Sequence, residues 1–152
     1  MRFISLTSSL GDEAVMIVQI VAPMFIERYA DRLTPSTVQV LEGFAAGVGR
    51  WFDAESERFT VMHGDYRLDN LMFRDDPGAA VDWQTVSIAC GGRDLAYLLG
   101  NSVEPNVRRD VEGDVRRAYH DRLIELGVTK YSFDELLADE RHGSFQGPFI
   151  TM

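Results

Sequence analysis

The sequence contains very few cysteines and lysines. Its only cysteine is Cys90, so an internal disulfide is excluded and a reducing, cytoplasmic location is expected. We interpret Cys90 as a small core or loop residue. Its only lysine is Lys130, which lies in the last quarter of the chain. A site that needs a lysine in the first half of the chain is therefore excluded.

Lysine and arginine together are fewer than aspartate and glutamate. Fifteen lysines and arginines stand against 24 aspartates and glutamates, which gives a formal net charge of −9. Such a chain repels phosphate backbones, so no nucleic-acid partner is expected. Long apolar runs are also missing, because residues 14–26 are interrupted by Gln19 and Pro23. No membrane partner is expected either.

Helical spacing of apolar residues is the main structural signal in the sequence. Thr34-Pro35 is typical of a helix start, and Ser132 followed by Glu135 has the form of a capping box. Pro23 is expected to bend or interrupt the first helix. The pattern predicts helices at about 12–32, 35–54, 93–101, 105–127 and 133–142.

Short apolar runs of a different kind surround a polar segment in the middle of the chain. Phe59–Met62 predicts a strand, and Leu71–Phe73 with Ala79–Val81 predicts a hairpin around the turn Asp75–Gly78. The second hairpin strand would end at Asp82. We therefore predict a mainly α fold with a small β-hairpin (α+β), in which residues 59–84 form a polar loop and the hairpin.

The polar segment is His63-Gly64-Asp65-Tyr66-Arg67-Leu68-Asp69-Asn70, and Asp82 follows twelve residues later. Phosphoryl transfer to an alcohol needs a group that receives the hydroxyl proton and oxygen ligands for Mg²⁺. Asp65 could serve as the base, and Asn70 as a neutral metal ligand. A carboxylate at Asp82 could bridge Mg²⁺ to the β- and γ-phosphates of a nucleotide.

These residues resemble the aminoglycoside phosphotransferase and choline kinase-like family, whose members are related to protein kinases. The likeness extends over residues 60–104, and the motif is most similar in style to kinase-like domains fused to acyl-CoA dehydrogenases. It implies an ATP- and Mg²⁺-dependent phosphotransferase that moves the γ-phosphate to a small-molecule hydroxyl. Asp65 would then be the catalytic base, and Asn70 and Asp82 would hold the Mg²⁺ that accompanies ATP.

The same resemblance implies that His63 and Asp94 support the loop and do not react. Arg67, two residues after the base, has two interpretations. Its guanidinium could stabilise charge on the transferred phosphate as a catalytic group, or it could form a structural ion pair with Asp69 or Asp94. We interpret Asp69 as a structural carboxylate of the loop.

The sequence pattern does not include the N-terminal lobe of a kinase. Kinase-like enzymes place a β-rich lobe with an ATP-binding lysine ahead of the catalytic loop. Here two predicted helices precede His63, and Lys130 lies far downstream. The resemblance therefore implies that residues 1–152 form a single partial domain, a kinase-like C-terminal lobe without the N-terminal β-lobe. We expect a truncated phosphotransferase that is weakly active or inactive alone.

Two other functions are open at this point. The chain could be a non-catalytic, kinase-derived binding or regulatory module, completed as a homodimer through its apolar ends, which include residues 145–150. A dinuclear phosphoesterase is disfavoured, because only His120 and His142 follow the motif as histidines. We expect no metal other than Mg²⁺. The motif leaves the acceptor hydroxyl undefined among aminoglycosides, choline, sugars and acyl-CoA-type compounds.

Overall fold

A computed structural model of the chain describes residues 9–54, 58–74 and 78–152. Helices dominate these residues and the strands are short, so the prediction of a mainly α fold with a small β component is confirmed. The helices are α1 (Ser9–Arg28), α2 (Pro35–Asp53), α3 (Gly92–Asn101), α4 (Pro105–Glu125), α5 (Phe133–Gly143) and α6 (Gln146–Thr151). The strands are β1 (Thr60–Met62), β2 (Leu71–Met72), β3 (Ala79–Ala80) and β4 (Ser87–Ala89). None of the described helices is both long enough and apolar enough to cross a membrane.

The described residues group into two compact units. The first unit contains α1, α2 and residues 148–152, and the second contains residues 58–147. The prediction of a single partial domain over residues 1–152 stays a prediction.

In the first unit, α1 continues through Pro23, so the expected interruption does not occur. At the start of α2 the Oγ1 atom of Thr34 accepts a hydrogen bond of 3.2 Å from the backbone N–H of Thr37. This bond satisfies one of the N–H groups that a helix start leaves without a partner. Thr34-Pro35 therefore begins the helix, as the sequence indicated.

The core of the first unit forms around buried Val18, Phe44, Val48 and Trp51. The side chain of Phe149 packs against it, with ring centroids 5.7 Å from Trp51. The sequence suggested no partner for this apolar end of the chain and no helix α6. In α1, Val18 and Ala22 are buried, whereas Ile17 and Met24 are 57% and 62% exposed.

The second unit is built around the packing of α3 on α5. Leu95 and Leu99 of α3 and Leu136 of α5 are buried together. The predicted capping box at the start of α5 is confirmed. Ser132 Oγ accepts a hydrogen bond of 3.2 Å from Glu135 N, and a Glu135 carboxylate oxygen accepts one of 2.7 Å from Ser132 N. Cys90 is fully buried, as the sequence suggested.

Two glycines allow α3 and α5 to approach closely. A Cβ atom at Gly92 would lie 2.5 Å from the backbone N of Glu140, and one at Gly143 would lie 2.6 Å from Arg93 Cα. Both obstacles are backbone atoms, which cannot move aside as a flexible side chain can. The contact between the two helices therefore requires residues without side chains at these positions.

The strands form two antiparallel pairs. In one pair Val61 of β1 lies opposite Ile88 of β4, and in the other Leu71 of β2 lies opposite Ala80 of β3. The sequence predicted the second pair as a hairpin, whose turn at residues 75–77 lies outside the described residues. It missed β4 and its pairing with β1. β4 has only three residues and pairs with a strand that is distant in the sequence. Its own residues therefore give little indication of a strand.

The glycine contact can be tested with matched substitutions. We expect Gly143→Ala to lower the free energy of unfolding by about 1–3 kcal/mol, because the new methyl group meets the α3 backbone. Gly113→Ala in α4 is the control, since a Cβ atom there has no neighbour within 4 Å. It should raise the free energy by about 0.5–1 kcal/mol through helix propensity. Urea unfolding measures both. Equal effects of the two variants would contradict the close approach.

Candidate active site

The polar loop begins directly after β1 with His63 and Gly64. Gly64 is buried and has a φ of +84°, a conformation that favours glycine. A Cβ atom there would lie 2.5 Å from the carbonyl oxygen of Thr85. The loop therefore turns at Gly64 in a way that no other residue could reproduce without strain.

Asp94, in the first turn of α3, fixes this turn. Its Oδ2 atom accepts a hydrogen bond of 2.7 Å from His63 N, and its Oδ1 atom accepts one of 3.0 Å from Gly64 N. One carboxylate thus satisfies two consecutive backbone N–H groups. Hydrogen bonds to a charged acceptor are stronger than those to a neutral acceptor. The Asp94 carboxylate thus lies at the turn of the loop, and its role as a support of an active site stays a prediction.

The imidazole of His63 is 1% exposed and connects the loop to the chain after β3. Its Nε2 atom lies 2.8 Å from the carbonyl oxygen of Val81, which can only accept, so we assign the proton to Nε2. Nδ1 is then the acceptor for the N–H of Asp65, at 3.3 Å. The Trp83 ring covers the imidazole, with centroids 4.7 Å apart. Both ring nitrogens are therefore in hydrogen-bonding contact with the backbone, and the supporting role of His63 in catalysis stays a prediction.

Asp65 keeps 23% of its side chain exposed, so its carboxylate can reach a bound molecule. Asn70, which ends a 3-10 turn at Leu68–Asn70, donates from Nδ2 to Asp65 O at 2.9 Å and to Asp65 Oδ2 at 3.0 Å. The bond to Oδ2 orients the carboxylate, and the bond to the backbone oxygen holds the main chain of Asp65. The arrangement suits a group that must meet a hydroxyl at a defined angle.

The backbone of Asn70 is bonded to the residue that precedes Asp82. Its carbonyl oxygen accepts a hydrogen bond of 2.9 Å from Val81 N, the residue before Asp82. Because Nδ2 is turned to Asp65, Oδ1 is the side-chain atom that remains for a cation. Asp82 is exposed and has a left-handed backbone conformation, with φ 64° and ψ 59°. One amide oxygen and one carboxylate are the oxygen ligands that Mg²⁺ takes when phosphates and waters complete its shell, so these residues fit the ion.

The described residues contain no group of three or more histidine, cysteine, aspartate or glutamate side chains arranged around a common point. A site that depends on substrate phosphates does not need one. His120 instead places Nε2 2.8 Å from the carbonyl oxygen of Tyr131 and packs on Phe133.

Arg67 lies at the open side of the loop and is 47% exposed. Its Nε atom is 3.5 Å from Asp65 Oδ2 and 4.0 Å from Asp69 Oδ2. Asp69 is 83% exposed, so that pair is screened by water and weak. The guanidinium is thus next to the predicted base and close to solvent.

Further side chains that hold the loop were missed in the sequence. Thr85 Oγ1 donates to His63 O at 2.8 Å, and buried Gln146 donates from Nε2 to Gly64 O at 2.7 Å. Tyr97 is buried, and its pKa is raised by burial first and then by the charge of Asp65 and a hydrogen bond to it. Tyr97 follows Asp94 by one helical turn, which was a usable signal; Gln146 had none.

A family model described as the ecdysteroid kinase-like family matches residues 10–131, which is 122 of the 152 residues. The chain belongs to this family. Ecdysteroid kinase-like proteins are protein kinase-like phosphotransferases, so the predicted class of protein is confirmed at that level. The finer likeness to domains fused to acyl-CoA dehydrogenases stays a prediction. Comparison with the curated proteins and with the solved structures gave no match.

The role of Asp94 can be tested in this ecdysteroid kinase-like chain with Asp94→Asn. The amide keeps one acceptor oxygen and turns an NH₂ group toward the second backbone N–H. We expect the free energy of unfolding to fall by about 1–3 kcal/mol. Hydrogen exchange at the His63 and Gly64 amides should also become faster.

Asp110→Asn, at an exposed position of α4, is the matched control and should change neither quantity. Unchanged exchange at His63 and Gly64 in Asp94→Asn would show that the loop does not depend on this carboxylate.

Proposed function

We propose that the chain carries out, or contributes the catalytic loop to, ATP- and Mg²⁺-dependent transfer of the γ-phosphate to a small-molecule hydroxyl. One observation supports this above the others, namely the position of Asn70. Its side-chain amide holds Asp65, and its backbone carbonyl holds Val81 beside Asp82. Asn70, itself a predicted metal ligand, is therefore bonded to the predicted base and to the residue before the other predicted ligand.

In the proposed reaction Asp65 accepts the proton of the acceptor hydroxyl as the hydroxyl oxygen bonds to the γ-phosphorus. The bond from that phosphorus to the bridging oxygen breaks, and ADP leaves. The hydrogen bond from Asn70 Nδ2 to Asp65 Oδ2 keeps that carboxylate in one orientation during this step. Arg67, whose Nε atom is 3.5 Å from Asp65 Oδ2, lies where its planar cation could stabilise charge on the transferred group. His63 and Asp94 hold the loop and take no part in proton transfer.

Asn70, through Oδ1, and Asp82 would hold the metal ion. When bound, Mg²⁺ neutralises negative charge on the nucleotide phosphates. The exposure of Asp82 leaves its carboxylate accessible to such a complex. We propose, in line with the family, that residues 58–147 correspond to part of a kinase-like C-terminal lobe.

The only lysine of the chain, Lys130, lines a cavity to which loop 63–70 contributes none of the described lining residues. The described residues therefore offer Arg67 as the cation nearest the predicted base. When a protein holds the nucleotide loosely, the rate of phosphoryl transfer falls more than the affinity for Mg-ATP does. Nucleotide binding is for this reason the first measurement.

Calorimetry with Mg-ATP tests the metal ligands through Asp82→Asn. Asparagine tolerates the left-handed backbone at this position, so the variant removes charge without imposing strain. We expect the affinity for Mg-ATP to fall by at least about tenfold, which corresponds to ~1.4 kcal/mol.

Asp69→Asn is the control, because Asp69 is a highly exposed carboxylate of the same loop. It should bind Mg-ATP as the unmodified chain does. The metal assignment fails if Asp82→Asn also binds Mg-ATP with unchanged affinity.

Formation of ADP with a panel of hydroxyl compounds tests the base. The panel includes choline, an aminoglycoside, a sugar and, following the name of the family, an ecdysteroid. With any compound that is phosphorylated, Asp65→Asn should lower kcat by about 10²–10⁴-fold and leave Mg-ATP affinity within about twofold. A variant as active as the unmodified chain would exclude Asp65 as the base. Mg-ATP binding without turnover on any compound would favour the non-catalytic alternative.

A further inference from the structure

A cavity of about 500 Å³ lies in the second unit, apart from the residues discussed so far. Its walls come from the residues at the start of β1, the end of α4, the loop to α5, and α5 itself. Neither loop 63–70 nor Asp82 is among the described residues that line the cavity. It is therefore distinct from the candidate active site.

Much of the wall is apolar. Phe59, Leu123, Val128 and the ring of Tyr119 contribute to it. Phe59 is 59% exposed and Val128 is 43% exposed. The volume falls within the range of roughly 300–1,000 Å³ that small-molecule sites occupy. A bound apolar group would remove these side chains from water.

The buried charges in the wall already have partners. Asp139 is 5% exposed and both of its oxygens are used. Oδ1 pairs with Arg58 at 3.2 Å, and Oδ2 accepts a hydrogen bond of 2.9 Å from the Tyr131 hydroxyl. Arg58 also pairs with Glu135 at 3.2 Å, so its charge is balanced. These groups form a satisfied polar wall and do not demand a charged ligand.

Lys130 differs from Arg58. It lines the same cavity, is exposed, and forms no ion pair with any residue that the structure describes. It is the only lysine in a chain of net charge −9. A cation that pairs with no carboxylate among the described residues, beside an apolar cavity, is complementary to a ligand with an apolar body and one negative charge.

We propose that this cavity binds a small monocarboxylate with an apolar body. The carboxylate lies against the ammonium group of Lys130, and the body lies against Phe59, Leu123 and Val128. A single cation matches a monoanion better than a doubly charged phosphate. The site does not use Asp65, Asn70 or Asp82, so its occupancy is independent of phosphoryl transfer.

Octanoate is the probe, and calorimetry without ATP or Mg²⁺ is the measurement. We expect saturable binding of octanoate, weaker binding of 1-octanol, and no binding of octylamine. Lys130→Gln should weaken octanoate by about tenfold, the effect of losing one charge-assisted hydrogen bond, whereas Lys130→Arg should retain most of the affinity. Arg122→Gln is the control, since Arg122 is exposed on α4 and pairs with Glu125 outside the cavity.

A second measurement uses the single lysine. An amine-reactive ester labels Lys130 and the terminal amine, and peptide mass spectrometry separates the two sites. Octanoate should slow labelling of Lys130 alone. Val128→Trp, which fills the cavity from a partly exposed position, should weaken octanoate and abolish the protection while the circular dichroism spectrum is retained.

Three results would overturn the proposal. They are absence of saturable octanoate binding, equal affinity for octanoate and 1-octanol, and unchanged octanoate affinity in Lys130→Gln. None of them bears on whether Mg-ATP binds at Asp82.

Discussion

The two hydrogen bonds from His63 N and Gly64 N to the Asp94 carboxylate are the contact on which the candidate site depends. Neither N–H group has a strand partner, and both lie where the chain turns through the left-handed conformation of Gly64. Without an acceptor they would be part-buried donors with no bond, which is costly. The Asp94 carboxylate, in the first turn of α3, therefore determines the backbone path of the loop from its first residue.

The positions of the predicted base and metal ligands follow from this backbone path. Once His63 is fixed, its ring connects Asp65 N to the carbonyl of Val81, and Asn70 connects the Asp65 carboxylate to the residue before Asp82. The predicted base and the predicted metal ligands are thus held by overlapping hydrogen bonds. This arrangement is what phosphoryl transfer requires of a protein, because the reaction depends on positioning more than on covalent participation. It agrees with membership of a kinase-like phosphotransferase family.

The close contact of α3 with α5 links the loop to the cavity at Lys130. Gly92 lies two residues before Asp94, and a Cβ atom there would collide with the backbone at Asp139 and Glu140. Asp139 is also the buried partner of Arg58 in the wall of the cavity. The same helix contact therefore positions the anchor of the loop and one wall of the proposed carboxylate site. Both sites depend on a pair of helices whose close approach leaves no room for a side chain at Gly92 or Gly143.

The sequence by itself determined the local features: five helices from apolar spacing, the capping box at Ser132, and the order of Asp65, Asn70 and Asp82. Each of these depends on residues that are near one another in the chain, where side-chain chemistry and backbone preference leave a visible pattern. Only the tertiary structure decided the pairing of β1 with β4, the packing of Phe149, and the bonds from Thr85 and Gln146 to the loop. These contacts join residues between 22 and 98 positions apart. No local pattern specifies such a partner, because the contact forms only when burial of distant segments outweighs the entropy of closing the chain between them.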